Sequence, residues 1–277
     1  MDNLNIRNIN GYTIQLVADH IYAIDEYGID IMYLVEGSSR AMLVDTGAGV
    51  GPLKETAAQL TDRPVFVANT HGHIDHATGN HEFDEVYLNP EDQWMQEPPY
   101  MTGEHWKSFC AKTMQDPFYT GGDLSGKTLH AQKPPKKLTE GMRFDLGDRE
   151  FEAIGISGHT PGSMAFLDSR NRILIAGDSI VSTPILIFDA YSTSVRAYCD
   201  DLKKLAAREA EFDLILPGHF LRPIGKKYLF DLIACAEDIL AGQATPKRED
   251  FSHMSSEEAL SYRKGLATIV YNEKHIG

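Results

Sequence analysis

An α+β fold, in which two β-rich halves carry helices on their outer sides, is predicted by three features of the sequence. Short apolar runs recur at strand length through residues 12–45 and again through 150–177. Each set is followed by segments of helical periodicity, and turn-forming residues separate the runs. Two sheets that bury apolar faces against each other, with the helices outside, satisfy that order. The chain has 277 residues, enough to bury a large core as one domain, 1–277.

The elements follow in order. YTIQLV, IYAIDEY, DIMYLVE and RAMLVDTG read as four strands, and EGSSR supplies a turn between the last two. Asp45 thus stands at a strand end. A helix starts near Pro52 and runs through LKETAAQL, and VFVAN after Pro64 is the next strand. EVYLNP is another. Residues 91–135 are irregular and hold Trp94, Tyr100, Trp106, Phe109, Phe118 and Tyr119, an insertion expected to form a satellite core or one wall of a pocket. Strands resume with EFEAIGIS, SMAFLD and RILIAGD. The stretch SVRAYCDDLKKLAA is helical in period, FDLILPGH is a strand, and GKKYLFDLIACAEDILAG is an amphipathic helix. The region 225–277 is expected to carry helical elements, with a further helix in SSEEALSYRKGLATIV and room for a closing strand.

Composition narrows the function. The formal net charge is −14, which argues against nucleic acid as the main partner because phosphate binding draws on a cationic surface. Cys110, Cys199 and Cys235 are too widely spaced for a cysteine-based zinc motif or a disulfide framework. The start of the chain has no secretory pattern and no apolar run reaches membrane-spanning length, so a cytoplasmic location without membrane contact is expected. A homodimer contact through the aromatic segment or the last helices is a further expectation.

The chemistry concentrates in ANTHGHIDHATGN, where His71, His73, Asp75 and His76 fall within six positions right after a strand. Gly72 is expected to ease the turn. Imidazole nitrogens and carboxylate oxygens suit zinc and are also used by iron and manganese. SGHTPGS delivers His159, IAGDS delivers Asp178 and LPGH delivers His219, each just after a predicted strand. A cation would relieve the cost of gathering so many ionisable groups at one sheet edge. His20, His81, His105, His130, His253 and His275 fit no ligand pattern.

In sequence order VDTG, THGHIDH, GHTPGS, GDS and PGH resemble the metallo-beta-lactamase superfamily, whose His-x-His-x-Asp-His signature HGHIDH matches. The resemblance implies a four-layer αββα sandwich with two divalent metal ions, zinc first, with iron and manganese compatible. It implies that His71, His73 and His159 hold one metal, that Asp75, His76 and His219 hold the other, and that Asp178 bridges them. Asp45 then lies behind the ligands and orients a histidine or the loop. Asp75 and Asp178 are the residues expected to act in catalysis as well.

That centre implies hydrolysis by a metal-bound hydroxide, with the cations polarising the carbonyl. A small-molecule carboxylic thioester or ester is the expected substrate, since the motifs are similar to those of the glyoxalase II-like branch. No glutathione-recognition pattern is found in residues 91–135. A lactonase is the first alternative, although the tyrosine that acyl-lactone hydrolases carry three positions after the bridging aspartate is Val181 here. A beta-lactam hydrolase, or a non-catalytic metal-dependent sensor, is the other. Flavodiiron proteins carry glutamate where this chain has His73.

Overall fold

The computed structural model describes residues 6–220, 223–251, 255 and 257–277. One sheet runs in chain order through eight strands: β1 (Ile6–Ile9), β2 (Tyr12–Ala18), β3 (Ile21–Asp25), β4 (Ile31–Glu36), β5 (Ala41–Val44), β6 (Val65–Ala68), β7 (Val86–Leu88) and β8 (Lys136–Lys137). It is antiparallel as far as β5 and parallel from β5 to β8. The second sheet is built from β9 (Arg143–Asp145), β10 (Glu150–Gly155), β11 (Met164–Asp168) and β12 (Ile173–Gly177). After β13 (Ile185–Ile187) leaves for a third sheet, β14 (Leu214–Pro217) closes the second one, parallel to β12.

Alternation along the strands sorts the side chains into layers. In β4, Tyr33 and Val35 face the second sheet, where they meet Phe151, Phe166 and Ile175. Their neighbours Met32 and Leu34 face the other way, onto Leu53 and Ala57 of α1 (Leu53–Ala57). In β11, Phe166 joins the core between the sheets, while Ala165 and Leu167 pack toward α4 (Val195–Ala206) and α5 (Lys227–Leu240). The layers therefore run helix, sheet, sheet, helix, as expected. No helix among the described residues is long and apolar enough to cross a membrane.

The aromatic segment contains a helix that the sequence reading lacks, α3 (Gly103–Thr113), which follows the single helical turn α2 (Ile74–Ala77) in chain order. It buries Trp106 and Cys110 against Val50, Ile74 and Met101, so a satellite core does form there.

For residues 225–277 only the second expected helix needs correction, since a closing strand is present. The helix at 227–240 is present, but the described part of SSEEALSYRKGLATIV is a hairpin, β16 (Ala259–Lys264) and β17 (Ala267–Tyr271), turning at Gly265 with φ +60. Together with β13 and β15 (Lys247–Glu249) it makes the third sheet. The physical reason is a two-residue period: Leu260, Ile269 and Tyr271 pack on the helical side, whereas Ala259 and Val270 face Phe188. A strand with apolar contacts on both faces shows no clean alternation of polarity, so its charged residues mimic a helix.

Candidate metal centre

Five strand ends supply the site. Asp45 follows β5, and the loop after β6 carries His71 and His73 and then the helical turn α2, with Asp75 and His76. His159, Asp178 and His219 follow β10, β12 and β14. Gly72 does not adopt a left-handed conformation; its lack of a side chain matters because a Cβ there would lie 2.7 Å from the Asp92 carbonyl oxygen.

All seven expected ligand residues converge. His73 Nδ1 lies 3.0 Å from both His71 Nε2 and His159 Nε2. His76 Nε2 and His219 Nε2 are 3.3 Å apart, and Asp75 Oδ2 is 3.9 Å and 3.6 Å from them. Asp178 stands between the two sets: Oδ1 is 3.5 Å from His76, and Oδ2 is 3.2 Å from His219 and 3.7 Å from His159.

The outer nitrogens fix which ring atoms face inward. His159 Nδ1 donates to the Leu186 carbonyl and His219 Nδ1 to the Ile29 carbonyl, both at 2.9 Å. His76 Nδ1 donates to Asp45 Oδ2 at 3.1 Å. His71 Nδ1 donates to Thr70 Oγ1 at 3.0 Å, and that hydroxyl in turn donates to Asp45 at 2.7 Å. His73 Nε2 is 2.9 Å from the Tyr191 hydroxyl. With each outer nitrogen engaged, the neutral rings turn five inward nitrogens toward one another, and a cation would take the place of any proton held there. Asp178 Oδ1 is buried and has no hydrogen-bond partner. Five converging lone pairs and an orphaned carboxylate oxygen fit divalent cations and fit little else.

Electrostatics divides the site. Burial, reinforced by the neighbouring imidazoles, holds His71 and His73 well below the ordinary histidine range, so both are neutral donors. Burial also disfavours the charged form of His219, but the Asp178 carboxylate outweighs it and the ring is pushed up to about 9. His76 is raised in the same way, against burial, by Asp30 and Asp178. The Asp75 and Asp178 side of the centre thus calls for positive charge.

Three contributors carry no motif. Asp30 is fully buried, its Oδ1 lies 3.4 Å from His76 Nδ1, and neither oxygen has a hydrogen-bond partner. Tyr191 contacts His73 and packs edge-on against Trp94 and Tyr100. Asp92 accepts from Gly72 N–H, Gly162 N–H and Thr160 Oγ1 at 3.2, 2.8 and 2.6 Å, joining the two loops that carry His71, His73 and His159. Only partnering in space marks them. Of the unassigned histidines, His81 stacks on His130, and His253 lies outside the described residues.

Two clefts of about 220 Å³ each open onto the centre. One is lined by His159, Asp178 and His219 with Val181, Pro184 and Leu186. The other meets Asp75 and His219 and has walls of Phe109, Phe118, Tyr119 and Phe220. The aromatic segment therefore forms a pocket wall as well as a satellite core.

A family model described as the metallo-beta-lactamase superfamily matches residues 32–219. The chain belongs to the metallo-beta-lactamase superfamily. It is an enzyme of that superfamily, a metal-dependent hydrolase. Superfamily relatives include acyl-coenzyme A thioesterase MBLAC2 of Homo sapiens, 28% identical over 218 residues that cover 73% of this chain and 76% of that protein. The same enzyme of Gallus gallus is 28% identical over 204 residues, 68% of this chain and 72% of its own. Among solved structures, a metallo-beta-lactamase family protein of Thermus thermophilus superposes with a TM-score of 0.60 at 20% identity, covering 84% of this chain and 85% of that one. A second, TTHA1623 in a di-iron-bound form, gives a TM-score of 0.53 at 25% identity over 72% and 91%.

Proposed function

We propose that this metallo-beta-lactamase superfamily member hydrolyses a carboxylic thioester or ester at a two-metal centre. The observation that carries the reading is Asp178, whose carboxylate lies within 3.7 Å of histidines from both ligand sets. His71, His73 and His159 would hold one cation, Asp75, His76 and His219 the other, and Asp178 would span them. Zinc is the metal proposed, because imidazole and carboxylate donors suit it. Iron is the second reading, favoured by the di-iron-bound relative. The MBLAC2 thioesterases support the thioester as substrate class.

When bound, the cations supply a water of lowered pKa and polarise the acyl carbonyl. The chain's own groups do the rest. Asp45 and Thr70 hold the His76 and His71 rings so that their Nε2 atoms face inward. Asp178 keeps the two ligand sets in register, and whichever of its oxygens the cations leave free would take or pass the water's proton. No serine or cysteine nucleophile is required. Cys110, Cys199 and Cys235 are all buried, and burial pushes Cys110 up to about 11.

The test is a panel of an acyl-thioester, a simple ester, a lactone, a phosphodiester and a chromogenic beta-lactam, run beside metal analysis of the purified protein. Thioester or ester turnover with about two metals per chain, lost in His73→Ala and Asp178→Ala with folding retained, is expected. Preference for the phosphodiester or the beta-lactam would overturn the substrate class. Tight metal binding without turnover on any substrate would favour a sensor.

A further inference from the structure

Two aromatic side chains beside the centre are displayed to solvent. Phe118 is 60% exposed and Phe220 46%, and their rings meet edge to face with centroids 5.2 Å apart. Neither position is a loose surface residue. Phe220 directly follows His219 and has φ +53, a left-handed conformation uncommon for a bulky side chain. Phe118 sits in a turn pinned by its own N–H on Asp116 Oδ1 at 2.8 Å and by Thr120 N–H on the Tyr27 carbonyl at 2.8 Å. That turn docks on Gly28, whose φ is +84 and where any Cβ would collide with the Phe118 carbonyl oxygen. The fold thus holds two large apolar groups in water at the mouth of the site.

The pair roofs two adjoining hollows. One reaches Asp75 and His219; the other, of about 210 Å³, runs past Ile29 and Ile31 toward Asp25 and Asp30, and the two share Gly28, Ile29, Phe118 and Phe220. Among the described residues the hollows are lined by the carboxyls of Asp25, Asp30, Asp75 and Asp116 and by His219, between walls of Ile29, Ile31, Phe109, Phe118 and Phe220, and no described Lys or Arg lines either hollow. The apolar walls suit a hydrocarbon chain, and the carboxyls along them disfavour a phosphate or carboxylate.

We propose that the hollow beneath Phe118 and Phe220 seats the apolar acyl chain of the substrate, so that an anionic leaving group departs on another side of the centre. The assignment rests on the reading of the site as a thioester or ester hydrolase. Covering the exposed rings with a hydrocarbon chain removes apolar surface from water on both partners.

The experiment compares acetyl, hexanoyl and decanoyl thioesters of N-acetylcysteamine, which share one leaving group, on the metal-loaded wild type, Phe118→Ser and Phe118→Ser/Phe220→Ser. For the wild type, kcat/KM is expected to rise with chain length, by up to roughly fourfold per methylene that enters the hollow. The rise flattens in both variants, whereas Phe230→Ser, an exposed aromatic on α5, keeps the wild-type dependence. An unchanged dependence in the double variant, or an equal loss at every chain length, overturns the proposal and leaves the hydrolase reading standing. Calorimetric binding of the non-hydrolysable decyl thioether of N-acetylcysteamine separates the two readings. If no thioester or ester is turned over, the thioester or ester reading of the site fails. The hollow then stands if Phe118→Ser weakens decyl thioether binding at least about tenfold, and falls if the wild type binds none or the variant binds equally.

Discussion

Asp92 accepts the Gly162 backbone N–H at 2.8 Å and so ties the start of the aromatic segment to the loop that presents His159. The same carboxylate takes Gly72 N–H and the Thr160 hydroxyl. Burial pushes its carboxyl above the ordinary range, while the three donors pull it back. Asp92→Ala leaves those donors without their acceptor and is expected to cost about 2–3 kcal/mol. Chemical denaturation checks the stability, and metal content should fall with it because the His71, His73 and His159 set loses its common brace. Native stability with full metal content would contradict this role.

Asp45 anchors the other half. It holds Thr70 through both N–H and hydroxyl, and it receives His76 Nδ1–H. Asp45→Asn can still accept one of these bonds but presents a donor toward another. Metal affinity is expected to drop roughly 10–100-fold, the range for partners lying behind ligands. Competition with a chromophoric chelator measures it.

Glu26, which is not among the proposed ligands, predicts a pH dependence of stability. Burial pushes its carboxyl from the ordinary 4.5 to about 8, against the lowering effect of the Ala48 and Val50 N–H groups. Between those two values the folded protein keeps a proton that the unfolded chain has released, so the unfolding free energy falls as pH rises through this window. Urea denaturation at several pH values should show the fall, and Glu26→Gln should remove this component. A wild-type curve indistinguishable from that of the variant would refute the assignment.

Chelation should abolish turnover and lower the melting temperature, and both should return when the metal is restored. At a free metal concentration of roughly 100 times Kd, binding to the folded state alone contributes about 2.7 kcal/mol. A melting temperature that ignores chelator would show that the five inward nitrogens find relief in another way.

The convergence of the seven proposed ligands was legible because each occupies a short motif at a strand end, and their order in sequence carried the resemblance. The sheets were legible from runs such as IMYLVE and AMLV. The helix Gly103–Thr113 was not, since among its buried residues only Trp106 and Cys110 mark an inward face. Nor was the hairpin through Gly265, whose strands pack on both sides. Asp30, Asp92 and Tyr191 escaped for a different reason. A lone acid or phenol has no local pattern, and its role exists only once residues such as Asp92 and Thr160, 68 positions apart, are brought together.

The third sheet has a consequence for how the protein matures. Leu186, whose carbonyl orients His159, lies in β13, and β13 gains its register by pairing Ile185 with Ile269 and Leu186 with Val270. The ribosome makes His219 and every other expected ligand before it makes residue 269. Cation uptake in its final geometry therefore waits for a stretch that holds none of the seven donors, and a nascent chain halted before that stretch would carry the whole ligand set yet grip metal poorly.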